Sequence, residues 1–346
     1  MWQLSADDHV FYVPFYALLS KPIHIFLQQK PPLMRRSALR QPLLYSLLIS
    51  SLLALPAIAH RARAPVFHKP SRAGSQSTPE LVPLEVLPSG HLVVKAKING
   101  IEGRFILDTG AGIPLVTQQF AQRVSGLAQQ DGRFTGFRAT GERLTLPLYT
   151  ARTLTIGSLV VPELTLGMYA GDMGGFDGLI SLTAFRQQPF TLDYANHTLV
   201  LETAASLKQR RQAGRAVELR LHEVYGQSID MAAYCRVNEK LTLLLVLDSG
   251  TPAGQYRLNA SFAPALGIDT TGLKHSIIRS EFSAGQRNLL YRASLDKLTP
   301  VGQPTIALSK VPVGLITGLI YDGILPLKWL GDELTIDLPH KMLYAR

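Results

Sequence analysis

Residues 105–112 read FILDTGAG, and residues 245–252 read LVLDSGTP. In both, three apolar residues run into an aspartate, a hydroxyl side chain and a glycine. A short apolar run that ends in Asp and Gly reads as a buried strand entering a tight turn. Glycine at the third position lets the backbone fold back and aim its N–H groups at the carboxylate. Asp108 and Asp248 are therefore presented alike, once in each half of the chain.

The surroundings repeat as well. Each aspartate precedes a helix-like segment, 117–127 (TQQFAQRVSGL) and 259–268 (NASFAPALGI), with Thr117 and Asn259 as N-caps. Phe120-Ala121 lies 12 residues after Asp108, and Phe262-Ala263 lies 14 after Asp248. Gly141 follows its aspartate by 33 residues and Gly285 by 37, and Leu148-Tyr149 is echoed by Leu290-Tyr291. An apolar Asp-Gly strand recurs at 176–180 (FDGLI) and 321–325 (YDGIL), 69 and 74 residues on. Thr191-Leu192-Asp193 answers Thr335-Ile336-Asp337. Matches in one order at similar spacing make an internal repeat. The lobes are expected at 89–203 and 215–346, with the basic stretch 204–214 between them as a linker.

Short alternating runs broken by 28 Gly and 22 Pro fit an all-β chain with a few short helices. Residues 93–105 read as a hairpin around Asn99-Gly100, the favoured tight-turn pair. Upstream, Arg35, Arg36 and Arg40 precede the charge-free apolar stretch 43–55 and Ala57-Ile58-Ala59. That is the layout of a secretory signal peptide at 34–59, beginning at Met34 and preceded by an extension, 1–33. It predicts export to the periplasm or outside the cell; the alternative is an uncleaved membrane anchor. Residues 60–88 read as a flexible basic leader, a solvated segment able to touch a membrane surface. The net charge is +10, yet no basic helix, zinc finger or aromatic–basic ladder points to nucleic acid. The single cysteine, Cys235, lies in a strand-like run and reads as a buried thiol. No His-Glu-x-x-His pair or Gly-x-Ser-x-Gly elbow is present, so neither a metal site, a cofactor nor a serine nucleophile is expected.

Hydrolysis of an uncharged carbonyl needs an activated water and a proton donor. Two carboxylates that share one proton supply both. Here FILDTGAG with the later DGLI strand resembles the retropepsin-like aspartic peptidases, and DSGT resembles the same motif in the two-lobed pepsin-like enzymes. The resemblance covers about 89–346. It implies two tandem closed β-barrel lobes related by a pseudo-twofold axis, with a cleft between them under flaps. It makes Asp108 and Asp248 the catalytic dyad, with Thr109, Gly110, Ser249, Gly250 and Thr251 supporting the two loops. The flaps would centre on 139–142, with Thr140 and Gly141, and on 283–286, with Ala284 and Gly285.

Asp177, Asp193, Asp322 and Asp337 read as structural turn residues. Thr251 can donate to Asp248, whereas Ala111 cannot do so for Asp108, so Asp248 is expected to be the more acidic partner. The expected activity is that of a monomeric aspartic endopeptidase taking an extended polypeptide substrate. Two alternatives stay open: a non-catalytic peptide- or envelope-binding protein, motivated by Pro252 and an ill-defined second flap, and a homodimer that pairs two copies of Asp108.

Overall fold

Lys95 and Lys97 face outward from a strand whose other residues are buried, which fixes the face that Leu92–Ile98 turns to the core. The same two-residue alternation organises most of the protein, a computed structural model that describes residues 78–280 and 285–346. The expected signal peptide and upstream extension lie outside the described residues, as do Ser283 and Ala284 of the second flap.

The first lobe contains β1 (Glu80–Val86), β2 (Leu92–Ile98), β3 (Ile101–Leu107), β4 (Leu115–Thr117), β5 (Ala128–Phe137), β6 (Arg143–Ile156), β7 (Leu159–Tyr169), β8 (Gly178–Ile180), β9 (Phe190–Asp193) and β10 (Thr198–Leu201). The second contains β11 (Arg215–Glu218), β12 (Arg220–Val224), β13 (Ser228–Val237), β14 (Leu241–Asp248), β15 (Tyr256–Asn259), β16 (His275–Arg279), β17 (Arg287–Pro300), β18 (Leu308–Ile316), β19 (Gly323–Pro326), β20 (Glu333–Asp337) and β21 (Met342–Ala345). Strands β2, β3, β8, β4, β7 and β6 pair in that order, and β6 returns to β2 to close a barrel. Strands β13, β14, β19, β15, β18 and β17 close the second barrel in the corresponding order. Closure leaves no free edges within either ring.

A third sheet joins the lobes. Its order is β11-β21-β20-β9-β10-β1, so it reads the same from both ends when the lobes are exchanged. The pseudo-twofold axis passes between β9 and β20, where Thr191 and Thr335 are register partners and their hydroxyls lie 2.6 Å apart. Around this frame pack Phe105, Phe120, Phe185 and Phe190, all fully buried. Phe105 and Phe120 meet edge to face at 5.2 Å, a geometry that adds about 0.5–1.5 kcal/mol to the burial of the rings.

Two boundaries differ from the sequence reading. Residues 80–86, placed in the flexible leader, form β1, which bridges β10 and β2 and buries Val82 and Leu84. Pro83 in the middle masked that alternation. The stretch 204–214, read as a linker, is the helix α1 (Ala204–Ala213), opened by a reciprocal Thr203/Ser206 cap. Its basic residues serve the central sheet: Arg210 pairs with Glu202 and Glu333, and Arg211 with Asp337. The hairpin at Asn99-Gly100 forms as expected, with φ of 48° and 85°. Cys235 is fully buried, and burial pushes its thiol pKa up to about 12.

Candidate active site

Strand β3 delivers Asp108 and strand β14 delivers Asp248. Behind each, a parallel neighbour holds the strand end: Leu107 pairs with Ile180 of β8, and Asp248 with Pro326 of β19. The Asp108 N–H donates to the Ile180 carbonyl at 2.9 Å. Asp177 accepts from the Arg104 N–H at 2.9 Å, and Asp322 accepts from the Leu244 N–H at 3.0 Å. These two acids pin the strands that lead to the dyad. Asp193 holds the following turn through Asn196, and Asp337 anchors Arg211.

The two loops are braced against each other by the hydroxyl residues. The Thr109 N–H donates to Ser249 Oγ at 3.0 Å, and the Ser249 N–H donates to Thr109 Oγ1 at 2.9 Å. Each hydroxyl then crosses to the opposite strand, Thr109 to the Leu247 carbonyl at 2.9 Å and Ser249 to the Leu107 carbonyl at 2.8 Å. The carboxylates are held in kind: the Gly110 N–H reaches Asp108 Oδ1 at 2.9 Å, and the Gly250 N–H reaches Asp248 Oδ1 at 2.7 Å. Glycine is required here by proximity. A Cβ on Gly110 would sit 2.6 Å from the Asp248 carboxyl carbon, and one on Gly250 would sit 2.8 Å from that of Asp108.

Both carboxyl groups are fully buried. Burial raises the pKa of Asp108 well above the carboxylate range, and the charge of Asp248 raises it further. Burial raises Asp248 as well, but Thr251 opposes it by donating from Oγ1 to Asp248 Oδ2 at 2.8 Å, and the Gly250 N–H and His91 act in the same sense. The pair therefore loses its first proton with the charge favoured on Asp248.

Thr140 and Gly141, expected in the first flap, lie in the turn between β5 and β6. Gly141 has φ +81°, a left-handed conformation that suits glycine. The turn is stiffened by a 3.3 Å Arg138–Glu142 pair and by the Thr140 hydroxyl on Glu142. Its tip is docked on the second lobe. Ala139 is fully buried against Val246, Ile316, Leu319 and Ile324, and its carbonyl accepts the Ile320 N–H at 2.9 Å. Gln286 donates to the Thr140 carbonyl at 2.5 Å. On the second side, Ser280 N–H bonds the Gln286 carbonyl, so Gly285 lies in the tip between β16 and β17. Beneath the first flap is a small apolar pocket bordered by Ala111, Ile113, Leu115, Phe134, Phe137 and Leu146.

Sequence reasoning missed three groups. His91 is buried and places Nε2 2.9 Å from the Gly250 carbonyl. Asp230 is buried near Asp248, its pKa raised to about 6 by burial, with His222 pulling it down and Asp248 pushing it up. Tyr194 is buried, and burial followed by the charge of Asp248 raises its pKa. The signal for the first two was present: Ser-x-His at 89–91 and Ser-x-Asp at 228–230 stand at the same distance before Asn99 and Asn238.

Residues 94–184 match the family described as aspartyl protease. No curated protein matches the sequence. Among solved structures, a retropepsin-like aspartic protease from Rickettsia conorii is 18% identical and covers 36% of this chain and 88% of its own, with a TM-score of 0.27. Basic 7S globulin from soybean is 10% identical and covers 78% of this chain and 94% of its own, with a TM-score of 0.44. With the aspartyl protease match falling on the first barrel and the second barrel closed in the same strand order, the chain has the retropepsin-like aspartic peptidase fold, in two lobes.

Proposed function

We propose that the protein is an aspartic endopeptidase whose dyad, Asp108 and Asp248, comes from the two lobes of one chain. The observation that carries this reading is the reciprocal bracing of the two aspartate loops, which holds both carboxyls buried and face to face. Asp248, the more readily ionised, takes a proton from water. Asp108, which stays protonated, donates to the carbonyl oxygen of the scissile bond. The apolar pocket below the first flap would take an aliphatic or aromatic side chain of an extended peptide, and strand pairing with the flaps would hold its backbone.

An intramolecular dyad favours a monomer over a homodimer that uses two copies of Asp108, because Asp248 already fills the second position. The apolar stretch 43–55 supports export. The deciding experiment is cleavage of an unbiased peptide library from pH 3 to 8 by the chain from residue 60, beside Asp108→Asn and Asp248→Asn. Cleavage that both substitutions abolish upholds the reading. Loss with Asp108→Asn alone moves the dyad to a dimer, and no cleavage at any pH leaves a binding protein.

A further inference from the structure

His91 and Asp230 occupy the same place in the two lobes. Asn99 and Asn238 both open left-handed hairpin turns, with φ of 48° and 51°. Eight residues before each stand His91 and Asp230, and ten before each stand Ser89 and Ser228. The register of β2 on β3, continued one step past Leu92 and Leu107, sets His91 beside Asp108. That of β13 on β14, continued past Ala232 and Val246, sets Asp230 beside Asp248.

The symmetry ends at the chemistry. The Gly250 carbonyl only accepts, so His91 Nε2, 2.9 Å away, carries a hydrogen. His91 Nδ1 lies 2.6 Å from Ser89 Oγ, a hydroxyl that donates to the neutral ring and accepts from the charged one. The Ser89 carbonyl accepts the Ala253 N–H at 3.2 Å. The first lobe thus grips the second lobe's catalytic loop on both sides of Thr251. The Asp230 side chain has no N–H to offer in return and faces His222 of the neighbouring strand β12 at 3.8 Å.

We propose that His91 is a positioning residue for Asp248: it holds the 248–250 loop from the opposite lobe through Nε2–H, and its ring, when both nitrogens carry hydrogen, sets a positive charge toward the ionised carboxylate. Four other titratable groups face this point. Asp108 and Asp248 come from the loops, Tyr194 follows β9, and Asp230 comes from β13 with His222 behind it. Lys328 stands over the Tyr194 ring at 5.0 Å. Among these, His91 is the group that bonds the loop backbone from across the lobe boundary. Its kinetic readout rests on the peptidase reading above.

The test compares His91→Leu with His91→Gln in the full chain. Glutamine can present an amide N–H to the Gly250 carbonyl but carries no charge. His91→Leu is expected to lower kcat about tenfold or more, the equivalent of one lost hydrogen bond, with KM changed less than about twofold. His91→Gln is expected to recover kcat at its optimum to within about threefold. In both, the acidic limb of the pH–rate profile moves to higher pH, because an ionised Asp248 has lost a stabilising charge. Carboxyl-carbon NMR of labelled aspartates follows the Asp248 titration without any substrate, and backbone amide spectra report folding. A wild type that cuts nothing, but whose Asp248 titration rises in both variants, removes the peptidase reading and leaves the His91 role intact. Unchanged titration and pH limb in both variants, or a folded His91→Gln no faster than His91→Leu, overturns it.

Discussion

Ser249 Oγ accepts the backbone N–H of Thr109 and donates to the Leu107 carbonyl, so one hydroxyl of the second lobe closes two buried bonds of the first. Removing it takes the acceptor from the buried Thr109 N–H and one donor from the Leu107 carbonyl. Ser249→Ala is expected to cost about 1–3 kcal/mol, the cost of one buried polar group left unsatisfied. Thr109→Val should cost a similar amount through the Ser249 N–H and the Leu247 carbonyl. Urea denaturation measures both. A loss below about 0.5 kcal/mol in either, the size of an ordinary surface change, would mean the brace does not stabilise the loops.

Thr251 tunes the dyad from one side only. Its hydroxyl bonds ionised Asp248, and Ala111 offers no counterpart to Asp108. In Thr251→Ala the Asp248 pKa rises, so activity on the acidic side is lost at higher pH than in the wild type. The pH dependence of kcat/KM reports this shift. An acidic limb that stays in place would show that the Gly250 N–H and His91 hold Asp248 without help.

In the proposed peptidase, the docked 138–142 turn would have to open before a peptide could enter. Gln286→Ala removes one latch, and Ala139→Asp drives a charge into the apolar seat on the second lobe. Amide exchange across 138–142 should accelerate in both, more in Ala139→Asp, while the fold of the barrels is kept. Exchange indistinguishable from the wild type would mean that these contacts do not hold the flap shut.

Asp230 makes stability pH-dependent. Its folded pKa is raised from 3.8 to about 6. The stability it supports is full below the unfolded value and is lost as pH rises through the folded one. About 3 kcal/mol is at stake between pH 4 and 6, at 1.36 kcal/mol per unit. Asp230→Asn should flatten that part of the stability profile, as chemical denaturation at several pH values would reveal. An unaltered slope would locate the dependence in the dyad instead.

Much of the site was legible in the sequence because local chemistry specifies it. Asp-Thr-Gly and Asp-Ser-Gly carry their own turn and their own carboxylate donors, and Thr109 and Ser249 brace the loops as their hydroxyls suggested. The Asp-Gly strands revealed their structural role for the same reason. What stayed hidden depends on residues far apart in the chain. Ala139 is an unremarkable turn residue until Ile316 and Leu319 are seen to seat it. His91 looked like one of nine scattered histidines, since its partner, Gly250, lies 159 residues away. Strand β1 was missed through its proline, and helix α1 because its basic residues read as linker before Glu202, Glu333 and Asp337 were in view.

The palindromic order of the central sheet has a consequence for either lobe taken alone. Among the described residues, strands β9 and β20 cover each other on that side, so a lobe cut free would bare a row of unpaired backbone groups along one strand. The most economical cover for such an edge is a second copy of itself, related by a true twofold axis through position 191 or 335. The Thr191–Thr335 contact stands where the seam between two such copies would lie. The two halves of that sheet match, whereas Ser-x-His at 89–91 faces Ser-x-Asp at 228–230 in the corresponding places beside the aspartate loops.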